Sequence, residues 1–206
     1  SNVHDLVYNQ SLEEFEKDLI ESLKILEDVT SKKILIYRAP AFSINVQSKW
    51  ALEILAKNGI SFDLSLFQGH HSLGGISGKK INEPFYINTQ SGKVLEYPMS
   101  ITKIMGLTFA TCGGGYFRLL PFSITKALLQ QNEYKMTYFH PRDFDYGQPR
   151  LSMSTIRYFK TYVGLLSSKS KFKKLLENFN PISLSEDLRI RELDKLKIIE
   201  LEALGN

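Results

Sequence analysis

The sequence predicts an α/β fold, and three observations predict it. Short apolar runs at Lys33-Ile34-Leu35-Ile36-Tyr37 and Ile60 to Leu64 are bounded by polar residues, as buried strands are. A stretch with helical periodicity precedes each run. The two kinds of element alternate in rapid order, which is the rhythm of strands wound with helices. At 206 residues the chain can bury one substantial core. A hydrophobic share of 43% with 23% charged residues excludes a disordered chain and a membrane bundle.

Taken in order, Ser11 followed by Glu14 has the spacing of a capping box and opens a helix over 11–27. Its Leu12, Phe15, Leu19, Ile20, Leu23 and Leu26 are expected to face a core. The strand at 33–37 delivers Arg38-Ala39-Pro40 at its C-terminal end. A second helix over 47–57 closes at Asn58-Gly59, and the 60–64 strand follows. Residues 68–90 are expected to be a long functional loop, rich in Gly69, His70, His71, Gly74, Gly75, Gly78 and Pro84. Strand-like pieces stand at 94–98 and 105–110, and 112–115 reads as a tight turn after which Tyr116 and Phe117 pack and Arg118 reaches a rim. A helix over 121–131 and a strand over 135–139 lead to His140-Pro141. Beyond Arg150 helices are expected over 153–166 and 169–179, a short strand at 182–184, and a helix from Ser185 towards Leu204 with Glu186 and Asp187 in its first turn. Residues 1–150 thus form the α/β part and 151–206 a helical region packed on it.

The net charge of +4, from 26 basic and 22 acidic residues, is modest. Lys160 and the lysines of 169–174 read as solvated helix faces, so no nucleic-acid footprint is expected. With one cysteine, Cys112, there is neither an intrachain disulfide nor a cysteine-based zinc site. No signal-peptide pattern and no run of about 18 apolar residues occurs, so no membrane span is expected. The lone cysteine fits a reducing compartment, and a cytoplasmic chain is expected, with an export signal on a longer parent left open.

Chemistry-bearing residues fall at strand ends. Arg38 and His140 each follow an apolar strand, where a barrel places its active-site rim, and His4 stands just before the first helix. Adjacent His70 and His71 invite a metal reading. Neighbouring residues rarely both aim at one centre and no carboxylates surround them, so a loop surface touching substrate, with His71 in it, is expected instead. The loop glycines match no nucleotide fingerprint.

The runs His4-Asp5-Leu6-Val7-Tyr8, Tyr37-Arg38-Ala39-Pro40-Ala41-Phe42-Ser43-Ile44, Gly113-Gly114-Gly115-Tyr116-Phe117-Arg118-Leu119-Leu120-Pro121 and Tyr138-Phe139-His140-Pro141 resemble, in order, the polysaccharide deacetylase family. These are the NodB-homology carbohydrate esterases, and the similarity is greatest to the branch associated with exopolysaccharide and exosortase gene clusters. The resemblance implies a distorted, incomplete (β/α) barrel with a helical C-terminal extension. It implies a metal-dependent hydrolase that removes acetyl groups from a polysaccharide or its sugar precursor. His4 matches the second histidine of the family's metal motif. Its partner would lie one position before Ser1 and the catalytic aspartates earlier still, so the chain is expected to lack the first barrel strand.

Zinc or another divalent metal is implied for an intact parent, with none held tightly by this chain, since one imidazole is too few ligands. Arg38 corresponds to the arginine that orients the catalytic base, and the backbone at Ala41 and Phe42 to the oxyanion-binding loop. His140 corresponds to the proton donor to the leaving amine. Asp143 stands in a pair, Arg142-Asp143, where the nearest relatives carry Trp-Glu, and keeps a carboxylate able to orient His140; Arg118 is a further substrate-side candidate. The implied partner is an acetylated polysaccharide or oligosaccharide, with self-association through exposed strand edges or the C-terminal helix. The alternative is an inactive remnant that binds glycan or protein.

Overall fold

A computed structural model describes residues 2–68, 75–76, 81–104, 107–110 and 113–205. The strands are β1 (Ile36–Tyr37), β2 (Phe62–Asp63), β3 (Phe85–Thr89), β4 (Gly92–Glu96), β5 (Ile101–Ile104), β6 (Leu107–Ala110) and β7 (Ile198–Glu200). The helices are α1 (Leu12–Thr30), α2 (Trp50–Lys57), α3 (Gly114–Leu119), α4 (Phe122–Gln130), α5 (Thr155–Tyr162), α6 (Leu165–Phe179) and α7 (Leu184–Ile190). The protein is a mixed α/β chain that divides into two compact units. One comprises Ser1–Ile101 with Asp194–Asn206, the other Thr102–Leu193.

The first unit is built on a five-stranded sheet in the order β1-β2-β4-β3-β7. β1, β2 and β4 run parallel; β3 is antiparallel to β4 and parallel to β7. Register aligns Tyr37 with Asp63 and Asp63 with Glu96, so one row crosses the C-terminal ends of three parallel strands. The core joins Phe15 and Leu19 of α1, Ala51, Leu52, Ile54 and Leu55 of α2, and Phe85 and Ile87 of β3.

Helix α1 starts as the capping-box spacing predicts. Glu14 N–H donates to Ser11 Oγ at 3.2 Å and Ser11 N–H to Glu14 Oε2 at 2.8 Å. Its core face is narrower than expected. Phe15 and Leu19 are buried, whereas Leu12, Ile20 and Leu26 stay about half exposed, because the apolar positions spread over more of the cylinder than one sheet contact covers. The β3–β4 hairpin occupies the far end of the stretch read as loop. Its turn is tied to α2, since Glu53 accepts the N–H groups of Gln90 and Ser91 at 2.9 Å each. Burial works to raise the Glu53 pKa, but these donors prevail and hold it below the usual carboxylate range.

Three expected elements differ. No strand forms over 135–139, where Tyr138 makes a single bridge to Gly113. Residues 182–184 form no strand either: Ser183 is the N-cap of α7, accepting Glu186 N–H at 3.2 Å. The helix expected to run towards Leu204 stops at Ile190, and Arg191 clamps Asp187 with two contacts of 2.7 Å. The chain then becomes β7, whose β-branched Ile198-Ile199 pair with Tyr86 and Ile87.

In the second unit β5 and β6 form a two-stranded sheet. Phe117, Leu129 and Leu175 make its core, with Phe122, Phe139, Phe172 and Phe179 packed against them. Of the turn expected at 112–115, Cys112 lies outside the described residues, Gly113 is the N-cap of α3, and Gly114 and Gly115 open that helix.

Candidate functional site

In the first unit, chemistry gathers where β1, β2 and β4 end. Side chains beyond the carboxyl ends of parallel strands form the usual ligand crevice of such sheets. Arg38 is exposed there, its guanidinium 5.7 Å from the centroid of the Phe42 ring. Ala41 and Phe42 are consecutive non-glycine residues with positive φ, 52° and 55°. Left-handed backbone at such residues costs on the order of 1–3 kcal/mol each and persists only when the surroundings over-determine it. The turn closes on itself, with Phe42 N–H donating to Ala39 O at 3.2 Å and Ser43 N–H to Pro40 O at 3.1 Å. Phe42 N–H is thereby engaged within the loop, while its ring is buried.

Beneath this loop lies a group that sequence reasoning missed. Asp63, Ser65 and Glu96 are each fully buried, at 0% exposure. Ser65 Oγ donates to Asp63 Oδ1 at 2.5 Å and accepts Ala39 N–H at 2.8 Å. Glu96 Oε1 accepts Leu66 N–H at 3.0 Å. Asp63 Oδ2 and Glu96 Oε2 are buried without a hydrogen-bond partner among the described residues, and the register of β2 and β4 sets the two carboxyl-bearing residues side by side. Burial, and then the Asp63 charge beside it, hold the Glu96 carboxyl protonated well above its ordinary range, partly opposed by Arg38. Burial followed by the charges of Asp63 and Asp18 likewise pushes up the Tyr37 phenol. The signal was present in the sequence: Asp63 and Glu96 are carboxylates inside apolar runs, where an unpaired charge is too costly to bury.

His4 is exposed, with φ of 56°. Among the described residues no three His, Cys, Asp or Glu side chains are grouped so as to hold a metal ion. The described donor set therefore does not by itself fit the metal implied by the resemblance. His70, His71 and Cys112 lie outside the described residues.

In the second unit, the structure brings together His140, Asp143 and Arg118. Asp143 is 2% exposed and takes a 3.1 Å ion pair from Arg118 Nε at Oδ1. Its Oδ2 accepts His140 N–H at 2.9 Å and lies 3.8 Å from His140 Nδ1. The imidazole itself projects outward, its side chain 59% exposed, with the Tyr138 ring edge-on at 5.7 Å. Asp143 thus pins the backbone that presents His140. Arg118, expected at a rim, is buried at 4% exposure. The same Nε donates to Gly114 O at 3.3 Å, while Nη1 reaches Thr161 O at 2.7 Å and Val163 O at 3.1 Å and Nη2 reaches Lys160 O at 3.1 Å, closing the end of α5. Two glycines permit the approach. A Cβ on Gly113 would stand 2.2 Å from Tyr138 Cε1, and one on Gly114 3.2 Å from Asp143 Oδ2.

The fold and these clusters define an α/β protein with a strand-end arginine loop and a carboxylate-held surface histidine. Residues 64–188 match a family described as a domain of unknown function, DUF3473, a domain associated with polysaccharide deacetylases. The chain belongs to that family. A crystal structure of a candidate polysaccharide deacetylase from Mycobacterium smegmatis is similar at 22% identity, over 47% of this chain and 29% of that one, with a TM-score of 0.37. The chain thus spans less than a third of that protein's length. Comparison with curated proteins gives no match. No described helix is long and apolar enough to cross a membrane.

Proposed function

We propose that this chain is part of a deacetylase that hydrolyses acetyl groups on a polysaccharide or oligosaccharide, built on an incomplete barrel of the NodB-homology type. The observation that carries the reading is the Arg38–Phe42 loop, a strained turn at the C-terminal edge of three parallel strands that displays a guanidinium to solvent. Arg38 supplies a fixed fork of donors suited to a carboxylate, and so orients a catalytic base. The Ala41 backbone offers a donor towards a developing oxyanion. His140, held through its own N–H by Asp143, is the group able to hand a proton to a leaving amine. Family members draw Lewis-acid activation of water from zinc or another divalent ion. The described donors do not by themselves assemble such a site.

The test is acetate release from acetylated oligosaccharides by the protein as its gene encodes it. His140→Ala should slow turnover by about 10²–10⁴-fold at unchanged metal content, the scale of a positioned acid or base. Arg38→Ala should also impair turnover. An unaltered rate in His140→Ala, or loss of metal with it, defeats the assignment.

A competing reading, binding of glycan or protein without catalysis, takes its support from the lack of a three-ligand group among the described residues. Calorimetric titration with zinc separates the two: tight stoichiometric uptake by the 206-residue chain contradicts the non-catalytic reading.

A further inference from the structure

The strained turn at Ala41 and Phe42 needs something to hold it, and its contacts can be traced. Val7 N–H donates to Ser43 Oγ at 3.0 Å, and Ser48 Oγ to Ser43 O at 3.4 Å. A further tie, from Ala39 N–H to Ser65 Oγ, differs because it continues into charged groups. A hydroxyl has one proton, and that of Ser65 is committed to Asp63 Oδ1. This fixes the rotor and aims its lone pairs at Ala39. Asp63 is in turn the register partner of Glu96 on β4, whose Oε1 accepts the N–H of Leu66, the residue after Ser65. Two buried acids, adjacent on β4 and β2, thus stand behind the loop that carries Arg38.

We propose that Asp63 and Glu96 are positioning residues, a buried carboxyl pair that clasps the Arg38–Ser43 loop through the Ser65 hydroxyl. The clasp is a matter of geometry; its bearing on catalysis rests on the deacetylase reading of that loop. One proton shared between the two carboxyls keeps a second negative charge out of a dry site. The groups that bear on the pair are Tyr37 from β1 and Arg38 just beyond it, with the acids themselves supplied by β2 and β4. When the shared proton leaves, like charges at 0% exposure repel, Asp63 withdraws from Ser65, and Ala39 loses its acceptor. Arg38, Ala41 and Phe42 are then released together.

The test is amide hydrogen exchange on the full chain, read as protection factors for Ala39, Phe42 and Ser43 from mildly acidic to alkaline pH. Leu55 in α2 and Val94 in β4 serve as references. In the wild type, Ala39 protection should fall by about tenfold or more as pH rises, the scale of one buried hydrogen bond. Glu96→Gln keeps a donor for Asp63 but no titrating proton, and should hold protection level across the range. Ser65→Ala should lower Ala39 protection at every pH while Leu55 and Val94 stay protected. The same pH dependence in the wild type and Glu96→Gln, or undiminished Ala39 protection in Ser65→Ala, overturns the proposal. Should Glu96→Gln fail to fold, the wild-type and Ser65→Ala comparison alone decides it. Acetate release measured on the same samples keeps the readings apart. Amides that respond in a protein without activity leave the clasp standing and the deacetylase reading fallen. Activity with unresponsive amides does the reverse.

Discussion

Each unit buries carboxylates, and they are kept in opposite ways. Asp143 sits at 2% exposure beside the Arg118 guanidinium, so its charge meets an opposite charge and the His140 N–H. Asp63 and Glu96 sit at 0% exposure beside each other, so the charge is limited by retaining a proton. The first arrangement is held by an arginine that never deprotonates, the second by a proton that comes and goes. Burial alone therefore does not say how a carboxylate responds to pH; its partner does.

The sharpest way to break this comparison is to remove Arg118. Arg118→Ala leaves Asp143 buried without its counter-charge and frees the carbonyls at the end of α5. A loss of about 3–5 kcal/mol is expected in urea unfolding, the usual cost of breaking a buried pair. A loss below about 1 kcal/mol would mean that the pair is solvated. Next in size is the packing that lets the pair form. Gly113→Ala drives a methyl into the Tyr138 ring and should cost about 1–3 kcal/mol. Gly115→Ala meets nothing within 4 Å and lies inside α3, so it should be neutral or stabilising by up to about 1 kcal/mol. Similar melting temperatures for the two variants would refute the close approach.

The acid pair is tested by pH. The folded state keeps a proton that the unfolded chain releases once pH passes the ordinary carboxyl range. Stability from this source is complete at low pH and declines as pH rises, by up to about 1.4 kcal/mol per pH unit for one proton, until the folded pair ionises. Glu96→Gln should flatten that decline in the first unit. An unchanged slope would place the proton elsewhere. The smallest effect is expected at Glu53, a half-buried carboxylate bonded to two turn amides. Glu53→Ala should cost about 0.5–1.5 kcal/mol and loosen the exchange of the Gln90 and Ser91 amides.

What could be read in the sequence was local. The Ser11–Glu14 spacing located the start of α1, and the two apolar runs located β1 and β2 with Arg38 at a strand end. His140 was singled out for following an apolar run at 135–139; no strand forms there, and the structure sets His140 beside Asp143. What escaped depended on partners far along the chain. Ile198 to Glu200 carry too few residues to signal a strand, and become one because Tyr86 and Ile87 offer a free edge more than a hundred residues earlier. Arg118 looked like a rim residue because its burial depends on carbonyls at 160, 161 and 163. Asp63 and Glu96 were passed over since each breaks an apolar run singly, and only the register of β2 and β4 shows them to be one pair.

The position of β7 also bears on the order in which the protein can be made. Residues 102–193 are translated between the two segments that build the first unit, so ribosomal synthesis delivers a sheet with one strand outstanding. At roughly 5–20 residues per second, β3 waits several seconds for its neighbour. During that interval its Tyr86-to-Asn88 edge offers unpaired backbone to any extended segment nearby. The second unit has no such dependence, since all its residues are contiguous and emerge before β7. A nascent chain should therefore become protease-resistant over 102–193 first, and over the N-terminal hundred residues only when the last strand has left the exit tunnel.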